Sequence, residues 1–257
     1  MSDDGLPFET ALSLAQKEGF AEPDPTFDIS GQDAAQKTSI LATLSFFKHA
    51  VIENIYFEGI DKVTPQDINF GKQLELILKP LSVGQLSEDK ITLGSFPAFV
   101  KEKSLLASIE NESNAVLVNA ENVGETMYAG PGAGAKPTAN SVLSDIIDIA
   151  TGKIFDYQKF VESPLASSFE NFSCDHYLRF IVSDEPGVVA KISTVLAANN
   201  LSIDNLIQNE SDREDDAIPL VIVISNSKEK IMQNTISDLQ KLPEVKNSIS
   251  HIRILDI

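Results

Sequence analysis

Five residues near the start of the chain have types and spacing that could move a proton: Glu22, Asp24, Asp28, Asp33 and Lys37. Asp33 and Lys37 are four apart, so on a helix they share a face. As a solvated ion pair they would contribute only ~0.3 kcal/mol. The apolar pattern points further. Lys37 precedes Ile40 by three and Leu41 by four, and the stripe continues to Leu44. That spacing predicts a charged pair on the core-facing side of the helix. An amine pointing inward must lose its charge or meet carboxylates. Burial lowers a lysine pKa and nearby acids raise it, so such an amine can be tuned for proton transfer. Structural ion networks perturb pKa too, so pattern alone leaves a structural role open. Several acids around one lysine suit the ammonium of a small amino acid or amine. Magnesium or calcium on the same oxygens is the rival. The spacing does not fit a calcium-binding loop and Lys37 would compete with the ion, so no metal is expected.

A second chemical candidate is the loop "GPGAG", with Gly130, Gly132 and Gly134 ahead of a helical pattern at Ser141–Ala150. It is not the strand-coupled G-x-G-x-x-G fingerprint. A tight connection and a close backbone approach to a ligand both remain open. His49, His176 and His251 are scattered, and no pair has metal-ligand spacing. The single cysteine, Cys174, excludes an internal disulfide and has no obvious base beside it.

The elements that must position these groups follow from periodicity. Pro7 to Gly19 reads as a helix. Pro23 and Pro25 make Ala21–Ser30 an extended acidic loop. A second helix follows, with Ser30 and Asp33 close to a capping box. Ile52–Ile60 reads as a strand, Phe70–Leu78 as a turn and short helix, and Ile91–Val118 as strand-like. "NAVLVNAENVGETMY" is the best hairpin candidate. The tail changes character. "HYLRFIVS" alternates as a strand, Asp184 and Pro186 open a helix, and Asn199 and Asn200 can close it. "LSIDNLIQ", "IPLVIVIS", a helix from Lys228 to Leu242 and a final strand complete a β-α-β-β-α-β order. The fold class is therefore α+β. A mixed-sheet substrate domain (1–155) is followed by a linker (156–175) and a ferredoxin-like domain (176–257).

Composition bounds the partners. The 257 residues are 42% hydrophobic with a net charge of −18, so a core is expected and nucleic acid or an anionic membrane surface is not. No apolar run approaches the ~18 residues of a membrane helix. Met1–Gly5 lacks the basic start of a signal peptide, so a cytoplasmic location is expected.

"GFAEPDPTFDISGQDAAQK" and "NAVLVNAENVGETMYAGPGAGAKPTANSVLSDIIDIA" resemble homoserine dehydrogenase, over roughly residues 5–155. The resemblance implies an oxidoreductase that reduces L-aspartate 4-semialdehyde to L-homoserine with NAD(P)H, in threonine, methionine and isoleucine biosynthesis. Lys37 matches the family's proton-exchanging lysine. Glu22 and Asp33 match substrate-binding acids, and Asp28 another active-site acid. Gly19, Gly130, Gly132 and Gly134 match positions near the coenzyme. The family's Rossmann fingerprint is absent from these 257 residues. They are expected to carry the substrate half of the site, to bind NAD(P) poorly alone and to turn over little. From about Tyr177 the tail resembles an ACT domain, a module that pairs and binds a small amino acid. Asp184, Gly187 and Asn205 match its ligand area. L-threonine is the implied effector and a homo-oligomer the implied state, while a dimerising domain without ligand remains open. The alternative is an ACT-type amino-acid-binding regulatory protein without dehydrogenase activity.

Overall fold

The computed structural model describes residues 1, 5–18, 21–87, 90–110, 113–153, 161–162, 168–213 and 216–257. Gly19 lies outside them. Helix α1 (Phe8–Glu18) begins with Glu9 and ends near Lys17, which suits its dipole. The acidic loop is not wholly extended: α2 (Thr26–Ile29) makes one turn. Asp24 Oδ1 accepts from the Thr26 amide at 3.2 Å and its hydroxyl at 2.6 Å, which fixes that turn.

Helix α3 (Gln32–Phe46) starts from Gly31 at φ +81°, a conformation that favours glycine. No Ser30–Asp33 capping box forms. The Ser30 hydroxyl instead accepts from the Gln32 amide at 3.3 Å. The buried face of α3 is Ala35, Thr38 and Ala42. Its alanines pack with Ile55, Ile91 and Leu93. Ile40, Leu41 and Leu44 stay exposed. This reverses the expected stripe. Small residues let the helix approach the sheet closely, so the large ones end up on the open side.

Strands β1 (Lys48–His49) and β2 (Tyr56–Phe57) are short. Helix α4 (Pro65–Gln73) has the capping box that α3 lacks, between Thr64 and Asp67. Strands β3 (Leu76–Ser87) and β4 (Lys90–Lys101) form a long antiparallel hairpin where the sequence suggested a helix and one strand. The expected second hairpin is present as β5 (Ser113–Ala120) and β6 (Gly124–Pro131). Helix α5 (Ala135–Ala150) starts six residues earlier than expected, so the glycine loop runs straight into it. Strand β7 (Val161–Glu162) pairs with β1.

The tail has the expected order: β8 (Ser173–Ser183), α6 (Val188–Ala198), β9 (Ile203–Ile207), β10 (Ala217–Lys228), α7 (Glu229–Leu239) and β11 (Ser250–Leu255). Gly187, not Asp184, caps α6, at φ +95°. The second half is joined to the first by hydrogen bonds: β11 pairs parallel with β4, giving one seven-stranded sheet ordered β2-β4-β11-β8-β10-β9, with β3 on β4. Helices α6 and α7 cover one face of the tail's strands. On the other face Phe70 of α4 packs with Tyr177, Val221, Val223, Ile252 and Ile254. Phe169, Phe172 and Cys174 are buried with Phe96 and Val100, so the end of the expected linker sends three side chains into the core. Among the described residues no helix is long and apolar enough to cross a membrane.

Candidate functional site

Lys37 points outward from α3. Its Nζ donates to Asp33 Oδ2 at 2.6 Å, with the two side chains 65% and 32% exposed. The inward-facing amine read from the stripe is therefore corrected. What persists is the i,i+4 pair, on the same open face as Ile40, Leu41 and Leu44. Glu22 and Asp28 are exposed. Gln16 Nε2 holds the loop by donating to the carbonyls of Glu22 (3.0 Å) and Pro23 (3.3 Å). Asp24 is engaged by Thr26, whose hydroxyl and amide hold its carboxyl below the usual range. Among the described residues Asp33 is the acid bonded to Lys37, so the ring of carboxylates is not closed.

The seat of α3 is built from a distance. The Ile60 amide donates to the Ile29 carbonyl at 3.0 Å, and the Glu58 amide to the Ser95 carbonyl at 2.8 Å. A Cβ on Gly59 would lie 2.6 Å from the Ile29 oxygen, so glycine is needed for this approach. The Glu58 side chain accepts from Arg253 Nη1 at 2.9 Å. Arg253, on β11, is fully buried. Its Nε and Nη2 donate to Glu229 at 3.0 and 2.6 Å, and Nη2 also to the Tyr56 hydroxyl at 3.0 Å. The guanidinium lies over Tyr56 and Phe96, 4.8 and 4.6 Å from their centroids. The last strand of the chain thus fixes the loop that clasps the helix bearing Lys37.

A second buried pair joins the halves. Arg179 Nε and Nη2 donate to Asp67 at 2.7 and 3.1 Å, and the Tyr177 hydroxyl to the same carboxylate at 3.2 Å. Burial pushes the Asp67 carboxyl up, but the bonds and charge of Arg179, together with the bonds from the Thr64 hydroxyl and amide, more than offset this and hold it below the usual range.

Gly130, Gly132 and Gly134 lie exposed before α5. Gly134 has φ +123°, which excludes a side chain without strain. None of α5 is buried, and Val142, Leu143, Ile146, Ile147 and Ile149 are 51–77% exposed.

The ACT-type residues separate. Asp184 is paired with Arg213, and its amide donates to the Asp216 carbonyl at 3.0 Å. Asn205 sits opposite Val223, seven positions along β10 from Asp216. At ~3.3 Å per residue that is about 23 Å. One chain therefore does not bring Asp184 and Gly187 to Asn205, which lies on the open edge strand β9.

Sequence spacing missed one cluster altogether. His176 on β8 and His251 on β11 meet, with Nδ1 and Nε2 at 2.9 Å. His176 Nε2 donates to the Ser227 carbonyl at 3.1 Å, so its Nδ1 accepts from His251 Nε2–H. Gln233 Nε2 faces the remaining nitrogen of His251 at 3.4 Å. Cys174 lies against His176, its thiol pushed up to about 12 by burial. Burial also lowers the pKa of both histidines and keeps them neutral. The unfolded chain takes up these protons near the ordinary value of 6.5 and the folded chain does not. Stability is therefore greatest above pH 6.5 and falls as pH drops below it, until the folded rings titrate. We expect the urea midpoint to decline between about pH 7 and pH 5. A flat profile there would show that these rings titrate normally in the fold.

Comparison with known proteins agrees with this architecture. The homoserine dehydrogenase family profile matches residues 1–147, and the ACT domain profile residues 176–244. The homoserine dehydrogenase of Helicobacter pylori is 38% identical over 96% of this chain and 59% of its own length. That of Bacillus subtilis is 36% identical over 94% and 58%. The crystal structure of a homoserine dehydrogenase from Thiobacillus denitrificans superposes on the whole chain with a TM-score of 0.91 at 32% identity, over 60% of that protein. The chain thus spans about 60% of the length of these relatives. With one profile matching more than half of the chain and a second matching the tail, the chain belongs to the homoserine dehydrogenase family and carries an ACT domain.

Proposed function

We propose that this chain carries the substrate half of the site that reduces L-aspartate 4-semialdehyde to L-homoserine. The observation that carries the reading is the Asp33–Lys37 pair on the uncovered face of α3, in a chain of this family. Lys37 Nζ gives a proton to the aldehyde oxygen, and takes it back in the reverse direction. Asp33, at 2.6 Å, aims the amine. Glu22 and Asp28 hold the substrate ammonium and so fix the carbon chain. The glycine loop fits NAD(P): its exposed backbone runs into the positive end of α5. When bound, NAD(P)H supplies the hydride. These 257 residues contain no G-x-G-x-x-G unit, so by themselves they bind NAD(P) weakly and turn over little. The setting is threonine, methionine and isoleucine biosynthesis in the cytoplasm.

The tail senses L-threonine at an interface between two copies. The separation of Asp184 from Asn205 in one chain and the open edge of β9 support a site shared across a pair. The open apolar face of α5 supports a second contact surface. We expect the apparent mass of the chain from light scattering to rise with concentration, and Ile146→Glu to reduce the rise. A monomer at all concentrations would argue that this face needs no cover.

Calorimetry tests the central reading. L-homoserine should give heat that Glu22→Ala abolishes. Heat with L-threonine but none with L-homoserine would favour the regulatory protein without dehydrogenase activity.

A further inference from the structure

We propose that His176, His251 and Glu229 form a binding site for a zinc-class divalent metal ion where the tail's sheet joins the rest of the molecule. One ligand atom from each residue lies within 4.8 Å of the others. The three come from β8, β11 and α7 and are up to 75 residues apart, so the chain must fold to assemble them. Zinc–nitrogen bonds of ~2.0–2.1 Å at a tetrahedral angle place two ligand nitrogens about 3.3 Å apart. His176 Nδ1 and His251 Nε2 are already at 2.9 Å, with a proton between them. An ion in place of that proton sits off the line joining the two nitrogens, so the rings must part by a few tenths of an ångström and each must turn to aim its lone pair at the ion.

The surroundings supply what imidazole ligands require. The His176 Nε2 bond to the Ser227 carbonyl fixes the tautomer that turns the Nδ1 lone pair toward His251. On metal binding the His251 proton moves from Nε2 to Nδ1, where the Gln233 side chain, turned over, accepts it in exchange for its bond to Glu229. The rings therefore bind the ion without releasing a proton. Arg253 holds Glu229 throughout, and Gln233 holds it at 2.7 Å until it turns to His251. Its Oε2 accepts one of these bonds and keeps a lone pair. Arg253 is the main opposing charge, but it faces both Glu229 and Glu58, so the cluster has one surplus negative charge.

Cys174 is not a ligand. Its sulfur is 4.0 and 3.9 Å from the two nitrogens of His176, so it lies beside the ring rather than opposite Nδ1. Two imidazoles and a carboxylate leave one position open. This donor set suits zinc or cobalt over magnesium or calcium.

The test uses the 257-residue chain, stripped with a chelator and titrated with Co²⁺ and then Zn²⁺. We expect one ion per chain, visible cobalt d–d bands that zinc abolishes, and no intense near-ultraviolet thiolate band. His251→Gln, at a half-buried position, should weaken binding at least ~10-fold while the far-ultraviolet spectrum is kept. Cys174→Ser should bind like the parent. Absence of d–d bands, weak binding indifferent to His251→Gln, or a thiolate band lost in Cys174→Ser would each overturn the site.

Discussion

Replacing Lys37 with alanine is expected to lower kcat about 10²–10⁴-fold and to leave KM nearly unchanged. The measurement belongs in a chain that includes the coenzyme-binding part. Proton delivery to the aldehyde oxygen strengthens only in the transition state, so its loss appears in kcat. Lys37→Arg separates charge from proton transfer. Arginine can keep a bond to Asp33, yet it gives up a proton far less readily than lysine. It should therefore stay nearly as slow as alanine. Glu22→Ala should do the reverse and mainly raise KM, because holding an ammonium stabilises ground and transition states alike. A Lys37→Ala variant with raised KM and ordinary kcat would move Lys37 from proton donor to substrate anchor. The exposure of Lys37 does not weaken the prediction, since the Asp33–Lys37 pair sits on a face lined by uncovered Ile40, Leu41 and Leu44.

Replacing Arg253 with methionine should destabilise the chain by about 3–5 kcal/mol, read as a fall in the urea midpoint. Arg253 is fully buried between Glu229, which is itself buried, and the partly exposed Glu58. Methionine fills much of the volume, so the loss reports chiefly the carboxylates left without a counter-charge. Arg253→Lys should rescue little of it. A single ammonium cannot span Glu229 bidentately while bonding Glu58 and lying over Tyr56 and Phe96. Amide exchange locates the effect: α3 should exchange faster as well as α7, because Glu58 begins the loop that clasps Ile29–Gly31. A variant within about 1 kcal/mol of the parent would mean that the triad is nearly balanced by its own desolvation.

What is local could be read from the order of the amino acids. Strand and helix order in the tail, the β5–β6 hairpin, the left-handed Asn200 that ends α6 and the i,i+4 register of Asp33 with Lys37 all follow from short-range rules. Which faces are covered depends on packing between distant segments. Ile40, Leu41 and Leu44 mark an apolar face, but periodicity cannot say whether a sheet inside the chain or something outside covers it. It was the alanines that the sheet took. Likewise, β11 could pair with β4 only once two segments some 150 residues apart had met, and that pairing made one sheet of the expected two. The same long-range register placed His176 against His251 and carried Asn205 away from Asp184. Backbone preferences act over a few residues, whereas burial and strand pairing act between residues any distance apart, so only the folded chain could settle these neighbours.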